Sequence, residues 1–457
     1  MSNIVVSRIT SVLLIALVVR LTSLDQSFWL DETTTATVAR DMPLSEFFSS
    51  FLPGDFHPPL HYLTVKAWGG VFGFSEMALR FTSVLFGLAT VYLTYRIGKL
   101  LNSGRVGLMA AALLAVAPLH IYYSQELRMY AMTAFLATVS FYHFLRLLDK
   151  PQKSDWILWS TSIALLLLTD YLPMFILPVF WAYARRAKLS QAWWKQFLLG
   201  HITLAVAALL IFPIFLRQAS GALSVQSSGS LWWRALGSTT LKNTLLIFIK
   251  FITGRVPFDG MVIALTGTAG LLIGISLLKT KVGIKKLEPI WYWLVVPIVI
   301  GLVIGFFVPV VQFFRFLFVL PALYLLIAFG TEKLGKLKTP VLASLLTLSA
   351  IFSGMYLLDQ GNHRENWKGL AEYVGSSAVL FVADSQMEAF RYYSNVEPAF
   401  GPSGINKAAK EIYLTRYVQD IFDPEDKTRE ALEAAGFEKS GERNFNGIEV
   451  WKYEKII

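Results

Sequence analysis

The chain has 457 residues, of which 55% are hydrophobic and only 16% charged, with a formal net charge of +10 and no cysteine. Soluble domains carry about 25% charged residues, so a single water-soluble globule is excluded, as are a disordered chain and a β-barrel porin. The lack of cysteine excludes a disulfide framework, a cysteine-ligated zinc and a thiol nucleophile.

The charge is unevenly placed. Residues 360–457 hold 12 Lys/Arg and 16 Asp/Glu, whereas residues 1–359 carry a net charge of +14 in an apolar background. This predicts a polytopic α-helical membrane part over 1–359 and a soluble α/β domain over 360–457. The first apolar stretch, 8–24, has no small-residue cleavage site behind it, so it reads as a retained span. Further stretches lie near 78–97, 105–121, 127–148, 156–170, 172–185, 197–216, 261–278, 290–310, 313–330 and 340–358, about eleven spans in all. Each is near the length that a hydrocarbon core of about 30 Å requires.

The basic clusters Arg96/Lys99/Arg105, Arg146/Lys150/Lys153, Arg185/Arg186/Lys188/Lys195, Lys279/Lys281/Lys285/Lys286 and Lys333/Lys336/Lys338 then share one side. The positive-inside rule makes that side cytoplasmic, so the basic excess is topological and no nucleic-acid partner is expected. The N-terminus is inside; the first loop, 25–77, and the C-terminal domain are outside. The stretch 241–251, LKNTLLIFIKF, is short and carries two lysines. Of the two readings for 241–256, span or interface, the interfacial amphipathic helix keeps the basic loops together. Eleven of the fifteen acids before residue 360 fall outside: Asp25, Asp31, Glu32, Asp41, Glu46, Asp55, Glu76, Glu126, Asp170, Asp259 and Asp359. An outward catalytic or cation site explains this bias, and so does simple solvation of the larger loops.

The outer loops carry three constellations. Trp29-Leu30-Asp31-Glu32 places adjacent carboxylates beside the membrane, suited to a general base or a cation ligand. The ordinary alternative is Asp31 as the N-cap of ETTTATVAR. Asp55-Phe-His57-Pro58-Pro59-Leu60-His61-Tyr62 follows, and its prolines fix an extended segment before a helix. They oppose helical pairing of His57 with His61, but His57 with Asp31 or Asp55 offers a mixed O/N metal site. The third is Ser124-Gln125-Glu126-Leu127-Arg128-Met129-Tyr130, where Arg128 either clamps a phosphate or pairs with Glu126. Arg315 and Arg20 stand at the outer ends of their spans, where snorkelling competes with a site role. In the C-terminal part, RENWKGLAEYVGSS, SQMEAFRYYS and 424–435 read as helices. AVLFVAD, EIYLTRY, GFEKSGER and GIEVWKY read as strands.

The order RLTSLDQSFWLDE, FHPPLHY, a span, then YYSQELRMYAM, with the late RFLFVLPALYLL and NWKGLAEYVGSSAVLFVADSQMEAFRYY, resembles the GT-C superfamily of membrane glycosyltransferases, family 39 type. Protein O-mannosyltransferases and aminoarabinose lipid A transferases are its relatives. The resemblance covers essentially the whole chain. It implies a GT-C fold and an inverting transfer of a hexosyl or pentosyl group from a polyprenyl-phosphate donor. The acceptor is a hydroxyl on a lipid, protein or glycan, at the outer face of a bacterial or archaeal cytoplasmic membrane. It implies that Asp31 is the catalytic base with Glu32 beside it, and that Arg128 and Arg315, with Glu126, bind the donor phosphate. His57, with Asp55, His61, Tyr62, Asp170 and Tyr171, falls in the vicinity of substrate or metal. A divalent cation on Asp31 and His57 is the one cofactor the resemblance leaves open.

Two other classes fit a polytopic chain: a secondary transporter and a lipid-linked glycan flippase or ligase. A transporter predicts internal repeats and charged midplane helices, and the sequence has no evident repeat. Trp232-Trp233 is followed by Arg-Ala-Leu, which departs from the WWDYG signature of oligosaccharyltransferases.

Overall fold

The structure, a computed structural model, describes residues 2–227, 237–281 and 284–456. Trp232-Trp233 lie outside the described residues. The membrane part is built from α1 (Ser2–Leu21), α2 (Leu30–Asp41), α3 (Leu60–Phe72), α4 (Glu76–Leu101), α5 (Gly104–Ala115), α6 (Pro118–Ser124), α7 (Tyr130–Asp149) and α8 (Lys153–Thr169). It continues through α9 (Leu177–Arg186), α10 (Gln191–Ser227), α11 (Leu241–Thr253), α12 (Gly260–Lys279), α13 (Ile284–Ile304), α14 (Leu320–Glu332) and α15 (Lys338–Leu358).

Each of the eleven apolar stretches contains helix. Among the described residues, seven helices are long and apolar enough to cross a membrane, or eight when α5 and α6 form one span bent by 65°. The first stretch forms α1, whose first side chains lie outside the described set. The fifth forms α8, only 17 residues long. The sixth is divided between a 3-10 turn and α9. The segment at 241 is a helix of 13 residues, below spanning length.

The bend between α5 and α6 explains Arg20. Pro118 cannot donate to the helical ladder, so carbonyls at the break need other donors. The Arg20 guanidinium supplies them: Nη1 donates to Ala115 O and Ala16 O, each at 2.9 Å. Its Nη2 lies 2.7 Å from His120 Nδ1. Ser353 Oγ donates to Val116 O at 2.9 Å. Arg20 is fully buried, so of the two readings snorkelling does not hold: the side chain is an internal strut.

Glycine permits two close crossings. A Cβ on Gly98 would lie 2.5 Å from Gly107 Cα, where α4 meets α5. A Cβ on Gly330 would lie 1.8 Å from Ser276 O, where α14 meets α12. Backbone cannot yield as a side chain does. Gly330→Ala is therefore expected to destabilise the protein by about 1–3 kcal/mol, read as a lower melting temperature in detergent. An unchanged melting temperature would contradict this crossing.

At the end of the bundle away from loop 25–77, acids meet the basic clusters. Asp155 Oδ1 accepts from Arg146 Nε at 2.7 Å, Glu288 pairs with Arg186 at 2.9 Å, and Glu332 with Lys338 at 3.3 Å.

The C-terminal domain contains α16 (Trp367–Val374), α17 (Met387–Tyr393) and α18 (Lys427–Ala434). Its strands are β1 (Ala378–Phe381), β2 (Ala399–Phe400), β3 (Glu411–Thr415), β4 (Phe437–Phe445) and β5 (Ile448–Lys455). They form one sheet in the order β2-β1-β3-β5-β4, with β1 parallel to β2 and β3 and β5 antiparallel to β3 and β4. Asn446 and Gly447, at φ 51° and 95°, close the β4–β5 hairpin, as a two-residue Asn-Gly turn should. The domain rests on the first loop. Tyr393 OH accepts the Phe28 N–H at 2.7 Å, Thr34 donates to Glu388 at 2.8 Å, and Tyr392 OH donates to Phe74 O at 2.9 Å.

Candidate active site

Helix α2 begins one residue before Asp31, with Trp29 as its N-cap. Asp31 is therefore inside the first turn, where an acid complements the helix dipole, and not the cap. Successive helical residues point about 100° apart, and this separates the two carboxylates. The Asp31 side chain is 42% exposed, that of Glu32 0%.

Glu32 points into the protein and is fully engaged. Its Oε1 accepts from Arg80 Nε at 2.8 Å and from the Leu127 N–H at 2.6 Å; Arg80 Nη2 binds Oε2 at 2.6 Å. Arg80 also donates to Leu24 O and Ser27 O, each at 3.0 Å. Burial disfavours the Glu32 charge, but Arg80, Arg364 and the Leu127 amide outweigh it and hold the carboxyl below its usual range. Glu32 thus offers no free oxygen to a substrate; its place is under the site.

Asp31 faces Arg128, with Oδ2 3.7 Å from Nη2. The same nitrogen lies 3.5 Å from His57 Nε2, and Nη1 lies 3.5 Å from Thr35 Oγ1. Asp55 Oδ2 sits 3.3 Å from His57 Nδ1 and accepts from Tyr62 OH at 2.8 Å. The carboxylate on Nδ1 fixes the ring so that Nε2 faces Arg128. Burial raises the Asp55 carboxyl, but His57, Arg128 and Tyr62 outweigh it and hold it well below the usual carboxylate range. His61 is buried with Nε2 unpartnered; burial, with Arg128 nearby, lowers it to about 3. It is neutral and closed to substrate. Tyr171 OH donates to Gln218 Oε1 at 2.7 Å, and Gln218 Nε2 donates to Leu52 O at 2.8 Å and His57 O at 3.0 Å. Asp170 accepts from the Leu172 N–H at 3.3 Å. Gln218 reaches the loop because α10, at 37 residues, outruns a membrane.

Of the two readings of Arg128, pairing with Glu126 is not formed among the described residues. Glu126 Oε2 lies 3.4 Å from Arg364 Nη2. Burial, against Arg364 and reinforced by Glu32, pushes its carboxyl up to about 7. Arg315 Nη1 donates to Pro309 O at 3.1 Å. Tyr123, Tyr130 and Phe314 form an aromatic floor with ring centroids 5.1–5.8 Å apart.

Arg255, Arg80, Arg364 and Gln218 escaped the sequence reading. Arg255 is exposed, lies over the Tyr122 ring at 5.2 Å and makes no hydrogen bond or ion pair among the described residues. Arg80 had a usable signal, an arginine inside an apolar span. Arg364 and Gln218 had none. Among the described residues, no three His, Cys, Asp or Glu are grouped to hold a metal ion. Asp31 and His57 both face Arg128, with Oδ2 and Nε2 at 3.7 and 3.5 Å from its Nη2.

Residues 56–216 match the family model described as dolichyl-phosphate-mannose-protein mannosyltransferase. The matched region contains His57, Arg80, Glu126, Arg128 and Asp170, and begins after Asp31. No curated protein sequence matches the chain. Among solved structures, apo ArnT from Cupriavidus metallidurans superposes with a TM-score of 0.61 at 14% identity, over 97% of this chain and 97% of that one. ArnT bound to undecaprenyl phosphate gives 0.56 at 13% identity, over 99% and 98%. The oligosaccharyltransferase AglB from Archaeoglobus fulgidus, in complex with an inhibitory peptide and a dolichol-phosphate, gives 0.55 at 12% identity, over 97% and 74%. The chain has the GT-C fold. At these identities the likeness is one of fold, and the GT-C resemblance of the motifs is matched by the whole architecture.

Proposed function

We propose that the protein is an integral-membrane inverting glycosyltransferase that moves a sugar from a polyprenyl-phosphate donor to an acceptor hydroxyl on the extracytoplasmic face. The observation that carries this reading is the half-exposed Asp31 carboxylate beside Arg128 and His57, in a GT-C fold.

Asp31 is the base. As the acceptor oxygen bonds to sugar C1, its proton passes to Asp31. The bond from C1 to the phosphate oxygen breaks on the opposite face, and its electron pair leaves with the phosphate. A phosphate leaving group needs charge stabilisation more than a proton, so one carboxylate serves where hydrolases use two. Arg128, Arg255 and Arg315 supply the positive charge, and Asp55 holds His57 for a contact at the same place. Glu32 positions rather than reacts. A small, mostly apolar void lined by Ile252, Ile273, Ile327, Leu348 and Phe352, with Tyr324 and Ser349, lies between α11, α12, α14 and α15. Polyprenyl-phosphate donors, membrane lipids and a lipid, protein or glycan acceptor are the partners this reading requires.

Binding of undecaprenyl or dolichyl phosphate to the purified full chain tests the donor class. Saturable binding that the uncharged polyprenol does not share is expected. Arg255→Ala should weaken it about tenfold or more, since a hydrogen bond to a charged group contributes about 1.5–3 kcal/mol. Equal affinity for polyprenol and its phosphate would contradict the proposal.

A further inference from the structure

Beneath Asp31 and Arg128 lies a buried set of four charges, Glu32 and Glu126 with Arg80 and Arg364. Three of them belong to the membrane part. Arg364 comes from the linker that leads out of α15 into the C-terminal domain, and it turns back into the bundle. Its Nη1 donates to Tyr356 OH at 2.9 Å and its Nη2 to Tyr122 O at 3.1 Å. Nη2 is 3.4 Å from Glu126 Oε2, and Nε is 3.7 Å from Glu32 Oε2. The guanidinium lies over the Tyr122 ring at 4.3 Å. Its own backbone is held from both sides. Its N–H donates to Gln26 Oε1 at 3.1 Å, and Asn446 Nδ2 of the β4–β5 turn reaches its carbonyl at 3.4 Å.

We infer that Arg364 is a positioning residue for the transfer, acting through the 125–129 loop on Arg128. The inference rests on the reading of Asp31 and Arg128 as transfer residues. That loop is tied on one side by Glu32, which accepts the Leu127 N–H, and from above α4 by Ser83, which donates to Glu126 O at 2.6 Å. Arg364 closes the remaining side by holding Tyr122 O and the Glu126 carboxylate together. A planar fork with five donors can serve these acceptors at once, and an ammonium cannot. The C-terminal domain therefore contributes to the site from below, through its linker, besides resting on the first loop. The groups that face Glu126 are Arg364 from the linker, Glu32 from α2, Arg255 from the loop after α11 and Arg128 from its own loop.

Full-length Arg364→Lys, Arg364→Gln and the double variant Glu126→Gln/Arg364→Gln test this. The double variant removes both members of the pair, so neither is left as an uncompensated buried charge, and it is expected to fold where the single glutamine fails. Loss of loop register is expected to lower kcat/KM about 100-fold in Arg364→Lys and in the double variant, with kcat lowered and the donor KM raised together, because Arg128 is displaced. Hydrogen exchange of residues 125–129 should rise in both, while the rest of the chain keeps its protection. Wild-type rates in the double variant would overturn the inference, because charge balance alone would then suffice. Unchanged exchange at 125–129 in Arg364→Lys would overturn it as well. Should the wild-type protein transfer no sugar, the proposed reaction fails, and the exchange result still decides whether Arg364 positions the loop.

Discussion

Asp31→Asn is expected to lower kcat by about 10²–10⁴-fold, the usual contribution of a positioned general base, with little change in folding or in donor affinity. The side chain is half-exposed and its single ionic contact, Arg128 Nη2 at 3.7 Å, is long. It carries none of the buried network, so its removal should stay within about 0.5 kcal/mol of stability, as surface changes do. Arg128 remains to hold the donor phosphate. Glu32→Gln should behave in the opposite way. Its carboxylate bridges Arg80 and the Leu127 amide, so the loss should appear first in folding yield. Measured side by side, kcat and melting temperature separate the two neighbours. A fully active Asp31→Asn would remove the proposed base.

Arg80→Met is expected to be the most damaging substitution for stability. It leaves the fully buried Glu32 without its bidentate partner and leaves Leu24 O and Ser27 O without their donor. Removing one member of a buried ion pair costs about 3–5 kcal/mol, a large part of the stability of an ordinary domain. The variant should be recovered poorly from membranes and melt many degrees lower, whereas Arg391→Met, which loses only an exposed pair with Glu397, should not. Equal melting temperatures for the two variants would show that the network does not hold the first loop.

The sequence exposes the parts of this molecule whose signals are local. The apolar stretches, the charged tail, the strand and helix pattern of 366–455 and the Asn446-Gly447 turn all follow from composition and periodicity. Asp31, His57 and Arg128 could be picked out because each stands in a loop between apolar stretches with a recognisable setting. What stayed hidden depends on direction and distance. Asp31 and Glu32 are adjacent, and only the start of α2 decides which one faces out. Glu126 and Arg128 share a loop, yet one points to the linker and the other to the first loop. Arg20 became a strut because the chain breaks at Ala117-Pro118. Within an apolar run that proline reads as a continuous span, although its missing N–H was a signal. Arg364 contacts residues hundreds of positions earlier, and no pattern within RENW announces it. Hydropathy marks every apolar helix, while crossing a bilayer also needs length, so the short helices α8, α9 and α11 are the ones that periodicity alone does not assign.

The most direct test is turnover. The purified full chain in lipid would be incubated with radiolabelled polyprenyl-phosphate sugars, hexosyl and pentosyl, together with lipid, peptide and glycan acceptors. Wild type is predicted to release polyprenyl phosphate from one donor and to move its label to an acceptor with inverted configuration, while Asp31→Asn binds that donor and leaves it intact. Label released equally by wild type and Asp31→Asn, or no donor bound by wild type, would contradict the account.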